Sequence, residues 1–451
     1  MAASETPVTG PVFPPILDNR HPDAPASRDL LSCIHCGLCL NACPTYRELG
    51  VEMDSPRGRI YQMVQVATGQ AQISDSYLEH LDLCLACRGC ESACPSGVPY
   101  GRLIEAARAE IEAHVAPQRP FWQRLFRDFV YRRLLLSRGL MKAAGALIYI
   151  YQASGLQALA RGSGVLKLLG KLGRIEHLAP TAEVPFFFDK IGKTFPPHGE
   201  RRYRVGLLAG CIANVFSARL NEATVRVLQA NGCEVLIPES QTCCGALHVH
   251  AGLKNDARQL ARRNLDAFLP LAESGGLDAI VTNGAGCGST LKEYHELLHE
   301  DPDYAAKAAR FVGLMRDITE FLASIELNTA MGRLDTVVTY QDSCHLAHGQ
   351  KIRQAPRQLL KAIPGVQLRE MPLADLCCGS AGTYNVVHDD IADSLIAKKI
   401  PLASATGATV IATANVGCQI QLKAGVDRYG QGQRVVHVVE LLDEAYQKLA
   451  R

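Results

Sequence analysis

Eight cysteines near the start of the chain have the spacing of iron–sulfur ligands. They form two runs of the pattern C-x2-C-x2-C-x3-C, and each run is followed directly by a proline, Pro44 or Pro95. The first cysteine run is Cys33, Cys36, Cys39 and Cys43, and the second cysteine run is Cys84, Cys87, Cys90 and Cys94. Thiolates are soft ligands suited to iron, and this spacing is that of bacterial two-cluster ferredoxins. The runs therefore predict two 4Fe–4S clusters, whose chemistry is electron transfer.

The fourth cysteine of each run is expected to cross over to the other cluster, as it does in two-cluster ferredoxins. We therefore assign the first cluster to Cys33, Cys36, Cys39 and Cys94, and the second cluster to Cys84, Cys87, Cys90 and Cys43. A zinc site or a disulfide framework is the alternative. Zinc motifs usually place longer loops between their CxxC pairs and do not specify a following proline, so the pattern favours clusters.

Eight more cysteines fall into two groups of four in the second half of the chain. The first tetrad is Cys211, Cys243, Cys244 and Cys287, and the second tetrad is Cys344, Cys377, Cys378 and Cys418. Three members of the first tetrad recur in the second after offsets of 133, 134 and 131 residues. Such a regular offset indicates an internal duplication.

Each tetrad is expected to gather at one edge of a parallel sheet. Its first and last cysteines end strand-like runs such as RVGLLAGC and TVIATANVGC, and its adjacent pair lies in a CCG loop. The carboxyl edge of parallel strands is where α/β folds build their sites. Four thiolates there could hold a further iron–sulfur cluster, a zinc ion or a redox-active pair, and buried free thiols are the alternative. Cys233 matches neither tetrad and is expected in the core.

The composition limits the class of protein. The chain has 451 residues, 17 cysteines, 47% hydrophobic residues and a formal net charge of +2, which argues against a nucleic-acid binder and against a disordered protein. The first residues, MAASETPVTGPVFPP, do not have the basic start and apolar run of a secretory signal. We therefore expect a cytoplasmic protein, in which so many thiols indicate metal or cluster ligation.

The elements around the cysteines predict an α+β multidomain fold. The residues between Cys43 and Cys84 are compatible with helices and predict a helical ferredoxin domain. Arg57 and Arg59 in this segment lie either near a cluster or in a plain surface loop. Later, short β-branched runs alternate with amphipathic segments, as in Rossmann-like α/β units. The expected order is a loose leader (1–28), the helical ferredoxin domain (29–117), a basic helical connector and linker (118–202), and two duplicated α/β domains (203–330 and 335–451).

The connector is unusually basic and apolar. Residues 121–174 contain ten Lys or Arg and one acidic residue, Asp128, and the eighteen residues between Lys142 and Arg161 are uncharged. That length admits a transmembrane helix, but Ala, Gly, Gln and Ser make up more than half of it. An interfacial helix on anionic lipid, a helix in a partner's groove, and ordinary packing helices with a solvated basic face are the other interpretations.

Taken together, the motifs resemble a known family. HCGLC–NACPTY, SPRGRIY, CLACRGCESACPSGV, CCGALHVH, GAGCG, LCCGSAGTY and TANVGCQ are similar to the iron–sulfur subunit of bacterial glycolate oxidase (glycolate dehydrogenase). The resemblance runs from about Leu31 to Pro99 and from Arg204 to the end. It implies an electron-transfer subunit that is peripheral on the inner face of the cytoplasmic membrane. A partner flavoprotein subunit would oxidise glycolate to glyoxylate, and this chain would pass the electrons to a membrane acceptor, quinone.

The resemblance extends to iron–sulfur subunits of anaerobic glycerol-3-phosphate dehydrogenase and of heterodisulfide reductase. In the latter, each CCG domain ends in CxxC and can hold an unusual cluster on five cysteines. Here the matching positions are Thr290 and Gln421, which argues against disulfide reduction. A subunit of a D-lactate or glycerol-3-phosphate dehydrogenase, a thiol/disulfide reductase and a zinc-bearing docking scaffold are the alternatives. The chain shows no Gly-rich dinucleotide loop after a strand, so we expect no residue that catalyses the organic step.

Overall fold

The predicted ferredoxin domain consists of short helices wound around the cysteine runs. The computed structural model describes residues 15–17, 20–168, 170, 173, 176 and 179–449, so most of the predicted leader lies outside the described residues. The helices of this domain are Ser27–Leu30, Pro44–Leu49, Pro56–Ala67, Asp75–Asp82, Gly89–Ser92 and Tyr100–Val115, with 3-10 turns at Leu40–Ala42, Glu52–Asp54 and Ala116–Gln118. The predicted helical host is confirmed.

Local sequence explains where these helices begin. Pro44 and Pro56 each occupy a first helical position, where the missing N–H is not needed. The Ser55 hydroxyl accepts a hydrogen bond from the Gly58 N–H, and the Ser74 hydroxyl accepts one from Tyr77, so both serines cap the helix that follows. The helices then bury one apolar core, which includes Leu30, Ile60, Met63, Leu81, Leu103 and Ile104 together with several of the cysteines.

The connector is helical, as predicted. Its helices are Phe121–Asp128, Arg138–Ala153, Leu156–Gly162 and Val165–Leu168, with a π-helical turn at Phe129–Leu134 and a later 3-10 turn at Phe187–Lys190. Among the described residues, no single helix is long and apolar enough to cross a membrane. The segments Phe121–Leu134 and Arg138–Ala153 reach that length only as a pair, and they meet at an angle of 105°.

Two sheets follow, and they repeat one topology. The first contains β1 (Thr194–Phe195), β2 (Tyr203–Leu207), β3 (Cys233–Leu236), β4 (Ala279–Thr282) and β5 (Met315–Asp317) in the order β1-β3-β2-β4-β5. The second contains β6 (Thr336–Tyr340), β7 (Val366–Glu370), β8 (Val410–Thr413) and β9 (Arg434–His437) in the order β7-β6-β8-β9. All neighbouring strands are parallel except β1 with β3. The two sheets therefore match strand for strand, apart from the added edge strand β1.

Helices cover the sheets of both domains. In the first α/β domain they are Ala213–Phe216, Ala218–Ala230, Ala246–His250, Lys254–Gly275, Ala285–Lys292, Tyr294–Leu297, Ala305–Leu314 and Ile318–Ser324. In the second they are His345–Gly349 (π-helical), Gln354–Ala362, Tyr384–Val387, Asp389–Ser404, Val416–Tyr429 and Val438–Leu449. One continuous apolar core includes residues of both sheets. Across it, the Arg226 guanidinium pairs with the Asp443 carboxylate at 2.7 Å, so the two domains pack directly together.

Candidate electron-transfer site

The eight N-terminal cysteines lie in two groups, each drawing on both runs. Cys33 interacts electrostatically with Cys36 and Cys94, and Cys39 interacts with Cys33. In the other group Cys90 interacts with Cys87, Cys84 and Cys43. The fold thus places Cys94 beside Cys33 of the first run and Cys43 beside Cys90 of the second run. Cys39 also interacts with Cys43, so the two groups adjoin.

The loops that present these thiols repeat a strained backbone. His35 and Ala86 each lie two residues after the first cysteine of their run, and their φ angles are +54° and +50°. Non-glycine residues in this left-handed region cost about 1–3 kcal/mol and persist only where the surroundings impose them. The same strain at two matching positions therefore shows that both runs wrap in the same way.

The all-thiol donor set suits iron–sulfur clusters. Burial raises the pKa of Cys39 to about 11, and burial together with the neighbouring thiols raises the pKa of Cys90 well above its usual value. Without metal these thiols are therefore neutral at physiological pH. Metal binding requires thiolates, and the positive charge of the metal stabilises them where solvent cannot. The residues present fit the group that the sequence predicts.

One basic residue lies beside the second group. The Arg59 side chain is buried and donates hydrogen bonds to the Thr45 hydroxyl (3.0 Å) and to the His80 carbonyl (2.6 Å). It interacts electrostatically with Cys84 and Cys43. For Arg59 the surface-loop interpretation is therefore wrong, because the guanidinium is part of the interior around these cysteines. Arg57 lies beside the first group, since it interacts electrostatically with Cys33 and Cys39 and donates to the His35 carbonyl at 3.1 Å; it also pairs with Glu52 at 2.7 Å.

The second α/β domain covers the second cysteine run. The Cys87 thiol is hydrogen-bonded to Cys377, and this bond lowers the pKa of Cys87 despite its burial. Next to it, the Tyr384 hydroxyl donates to the Leu83 carbonyl at 3.0 Å. The second tetrad therefore touches a cysteine of the ferredoxin domain.

Each tetrad forms a row of thiols. In the first tetrad the Sγ atoms of Cys211 and Cys243 lie 3.5 Å apart, and side-chain interactions continue the row from Cys243 to Cys244 and on to Cys287. In the second tetrad the row runs from Cys344 through Cys377 and Cys378 to Cys418. Both tetrads therefore converge as expected. In the described part of the chain, no group of three or more Cys, His, Asp and Glu side chains is arranged to hold a single metal ion.

The expected strand-end position is wrong for two of these cysteines. Cys287 lies within the helix Ala285–Lys292, and Cys418 lies within the helix Val416–Tyr429. Both helices begin shortly after β4 or β8 ends, because the small residues of GAGCG and the turn at Asn415 let the chain turn at once into a helix. The thiols therefore project from first helical turns and not from strands.

A buried lysine supports the second tetrad. The Lys399 ammonium donates hydrogen bonds to the carbonyls of Leu373 (3.0 Å), Ala374 (3.2 Å) and Leu376 (2.6 Å), all in the loop that leads into Cys377. It also interacts electrostatically with Cys378, Cys377 and Cys418. Its charge therefore lies where it stabilises thiolates. The sequence did not predict this role for Lys399, since a lysine in the segment AKKIP is expected to be exposed to solvent.

A neutral network occupies the same place in the first tetrad. Asn264 accepts a hydrogen bond from the Thr242 N–H (2.9 Å) and donates to the Cys243 carbonyl (3.0 Å). The Tyr294 hydroxyl donates to the Cys244 carbonyl at 2.8 Å. The connector closes this side, since the Arg138 guanidinium donates to the Gln241 carbonyl at 3.2 Å. The first tetrad therefore faces the connector, whereas the second faces the ferredoxin domain.

The positions where a fifth thiolate would stand are buried and polar. Thr290 and Gln421 are both buried, and Gln421 accepts a hydrogen bond from the Asn385 amide at 2.9 Å. Gln421 also lines a cavity of about 670 Å³. Neither residue supplies a sulfur ligand.

Arg88 joins the ferredoxin domain to the first α/β domain. It lies between Cys87 and Cys90 in a left-handed conformation, with φ of +63°. Its guanidinium donates to Glu91 at 2.9 Å, pairs with Glu293 of the first α/β domain, and donates to Ser289 at 3.4 Å. Burial raises the pKa of Glu293 to about 7. The second cysteine run is therefore fixed to the first α/β domain as well.

Histidines near the tetrads also bridge domains. His348 lies 2.8 Å from the Ser92 hydroxyl, and His388 lies 2.9 Å from the Asp82 carboxylate. The His250 ring lies tilted against His345, with ring centroids 5.3 Å apart, and a ring nitrogen of His345 lies 3.5 Å from the Cys344 sulfur. Cys233 is fully buried in the core, as expected.

Comparison with known proteins gives matches over nearly the whole chain. A 4Fe-4S dicluster domain matches residues 29–98, the linker region of glycolate oxidase iron-sulfur subunits matches 122–179, and a cysteine-rich domain matches twice, at 205–292 and 338–423. The probable glycolate oxidase iron-sulfur subunit of Bacillus subtilis (strain 168) is 41% identical over 423 residues, which cover 92% of this chain and 94% of that protein.

Two further relatives span most of the chain. The glycolate oxidase iron-sulfur subunit of Escherichia coli (strain K12) is 35% identical over 93% of this chain and 95% of its own length. A fumarate reductase (CoM/CoB) subunit from Methanothermobacter marburgensis is 28% identical over 93% of this chain and 73% of its own length.

Proposed function

This chain belongs to the family of glycolate oxidase iron–sulfur subunits, and on that premise we propose that it carries electrons from glycolate to a membrane quinone. A flavoprotein subunit of the same complex oxidises glycolate to glyoxylate and releases two electrons and two protons. This chain accepts the electrons one at a time and passes them on. The observation that carries the proposal is the pair of adjoining cysteine groups within one helical domain.

The ligand sets follow the two groups. We assign the first cluster to Cys33, Cys36, Cys39 and Cys94, and the second cluster to Cys84, Cys87, Cys90 and Cys43. Each cluster, when bound, supplies one-electron oxidation and reduction. The protein holds the loops in place through Arg88 and Arg59. The Arg59 guanidinium interacts electrostatically with Cys84 and Cys43 and also pairs with Asp54 at 3.3 Å, whereas Arg88 pairs with Glu91 and Glu293.

The proposal is tested by reconstitution with purified flavoprotein subunits. We expect glycolate-dependent reduction of a quinone analogue only when the flavoprotein and this chain are both present. Cys36→Ser and Cys87→Ser should each remove one cluster, about four of roughly eight irons, and stop electron flow to the quinone analogue. D-Lactate and glycerol 3-phosphate, offered in parallel, identify the substrate of the complex.

Two outcomes would contradict it. If the flavin-free chain alone oxidised glycolate at roughly 1 per second or more, a rate typical of enzymes, it would not be an electron-transfer subunit. Full turnover in either cysteine variant would remove the clusters from the electron path.

The connector supports contact with the inner face of the cytoplasmic membrane. On the helix Phe121–Asp128 the side chains of Phe121, Trp122, Leu125 and Phe126 are exposed. Arg124 and Arg133 are exposed beside them, and neither has an ion-pair partner among the described residues. Exposed aromatic residues flanked by arginine suit the surface of an anionic bilayer.

Vesicle binding tests this contact. The variant Arg124→Gln/Arg133→Gln should bind vesicles rich in phosphatidylglycerol more weakly, and high salt should have the same effect on the wild type because exposed charges are screened within about 8–10 Å. The control Arg263→Gln/Lys361→Gln removes two exposed charges from the α/β domains. Equal binding by all three proteins would leave the connector as a packing element.

The tetrads are candidate sites for one further centre. We propose that the second tetrad, Cys344, Cys377, Cys378 and Cys418, holds a further iron–sulfur cluster. The support is the all-thiol donor set, the buried Lys399 and the contact between Cys377 and Cys87. The matching strand orders also suggest to us that both α/β domains descend from one duplicated Rossmann-like unit.

A further inference from the structure

The two cysteine runs have the same spacing but different surroundings. Ile34 and Leu85 each follow the first cysteine of their run, yet Ile34 is 68% exposed and Leu85 is 4% exposed. The next cysteines differ in the same sense, since Cys36 is exposed and Cys87 is buried. The backbone of the two loops is alike, as the left-handed His35 and Ala86 show. The difference therefore lies in what covers each run.

A protein domain covers the second run. Leu85 and Cys87 pack against Tyr384, Ile391 and Leu395 of the second α/β domain. That domain also brings Cys377 into hydrogen-bonding contact with Cys87. The second α/β domain therefore covers the second run and places its own thiol, that of Cys377, beside the cluster ligand Cys87.

The matching face of the first run is uncovered and apolar. Leu31 is 52% exposed and Leu38 is 61% exposed, and with Ile34 they flank the exposed Cys36 in the sequence. Between Leu31 and Tyr46 the chain contains no Asp, Glu, Lys or Arg. Clustered exposed apolar residues mark interaction sites, and the cores of protein interfaces are depleted in charge. We call Leu31, Ile34, Cys36 and Leu38 the entry face.

We propose that the entry face is the docking surface for the flavoprotein subunit, so that electrons enter this chain at the first cluster. The inference rests on the proposed function. The reduced flavin gives up its two electrons in two single steps, each to the first cluster, and its two protons leave to solvent through the flavoprotein. The first cluster passes each electron to the adjoining second cluster before it accepts the next.

A folded protein fits the entry face better than the other possible occupants do. An anionic membrane needs unpaired basic residues at the contact. The arginines beside the entry face are already engaged, since Arg57 pairs with Glu52 and donates to the His35 carbonyl, and Arg47 donates to the Asn41 carbonyl. A second copy of this chain would bring together two first clusters, and that contact would supply no electrons. The covered second run shows the kind of occupant that such a face accepts, a folded domain with a redox group at the contact.

The test is the double variant Ile34→Ser/Leu38→Ser in the holo chain. Both residues are exposed, so the variant should keep the iron content and the spectrum of the dithionite-reduced wild type. Reduction of its clusters by the flavoprotein and glycolate should slow roughly tenfold or more, because central apolar contacts dominate interface energies. The half-saturating concentration of flavoprotein should rise. The control Phe121→Ser/Phe126→Ser changes two equally exposed apolar residues of the connector and should accept electrons at the wild-type rate.

Each other outcome overturns the inference. Equal rates for the wild type and the entry-face variant would exclude docking there. An equal slowing in the connector control would place docking elsewhere or make the effect non-specific. Lost self-association or lost vesicle binding in the entry-face variant, with electron transfer unchanged, would assign the face to a second copy or to lipid. If the wild type itself takes no electrons from the flavoprotein, the proposed function fails as well, so the two failures are distinguishable.

Discussion

The two cysteine-rich α/β domains share strand order and cysteine spacing, but they surround their thiols differently. Equivalent positions can be read from the loop glycines, since Gly245 lies against Ala257 and Gly379 lies against Ala392. Seven residues after each of those alanines stand Asn264 and Lys399. The first tetrad is therefore braced by a neutral amide, whereas the second is braced by an ammonium.

The surroundings differ as well. The first tetrad faces the connector, and the second touches the second cysteine run through Cys377. A duplication has thus kept the scaffold and the sulfur atoms while changing charge and neighbours. Matching cysteine spacing therefore brings the thiols together in both domains, whereas the electrostatic character of each site depends on residues outside the motif.

Removing one thiol from each tetrad should give the largest difference between the two domains, measured as metal content. We expect Cys378→Ser to lower the metal content attributable to the second tetrad by roughly tenfold or more, since even outer contacts of metal sites contribute 10–100-fold to affinity. Cys244→Ser should have a smaller effect, because no buried cation stabilises thiolates there. Iron and zinc per chain are the measurement. About eight irons and no zinc in the wild type and in both variants would reduce the domains to docking units with buried thiols.

Changing the bracing residues should give the next largest effect. Lys399→Met keeps most of the buried stem but removes three hydrogen bonds and leaves the Leu376 carbonyl without a donor, since the Leu373 and Ala374 carbonyls also accept backbone N–H groups. We expect it to lower the free energy of unfolding by about 2–5 kcal/mol. Asn264→Leu removes a neutral network and should cost about 1–3 kcal/mol. Denaturant titration of the metal-free proteins measures both. If the two losses were equal, the lysine would act as a hydrogen-bond donor and not as a charge.

The smallest expected effect is a pH dependence of opposite sign in the two domains. Asp317 and His437 end the strands β5 and β9, which occupy matching positions in the two sheets. The Asp317 carboxylate accepts a hydrogen bond from the Thr319 N–H at 2.8 Å, and the His437 ring accepts one from the Val439 N–H at 3.1 Å. Burial raises the pKa of Asp317 to about 6 and lowers the pKa of His437 to about 4. Each shift is worth no more than about 3 kcal/mol.

The signs follow from which state binds the proton. The folded chain takes up a proton at Asp317 before the unfolded chain does, so acidification from pH 7.5 to 5.5 stabilises the fold through this group. At His437 the unfolded chain is protonated first, so the same change destabilises the fold. Relative to the wild type, Asp317→Asn should therefore remove a stabilisation on acidification, and His437→Asn should remove a destabilisation. Unfolding midpoints across this range measure the slopes, and slopes identical to the wild type would contradict the assignment.

Local patterns predicted much of this molecule. The cysteine spacing, the helical ferredoxin domain and the duplicated parallel strands all depend on short-range periodicity, and the structure has them. The bracing and joining residues depend on contacts between distant parts of the chain. Lys398 and Lys399 are neighbours in sequence, yet Lys398 pairs with Glu48 at the surface and Lys399 is buried. Arg88 meets Glu293 only once the ferredoxin domain and the first α/β domain have packed together, so no local signal marks it.

The cover over the second cysteine run has a consequence for how the protein matures. Iron and sulfide delivered to the finished fold can reach Cys36, which is exposed, but Cys87 lies beneath the second α/β domain and Arg88 is fastened to the first. The second cluster therefore has to be built before those domains dock, and the first cluster can be added afterwards. Oxidative damage would follow the reverse order. The first cluster is lost first and can be rebuilt in the folded chain, whereas rebuilding the second cluster requires the α/β domains to separate from the ferredoxin domain.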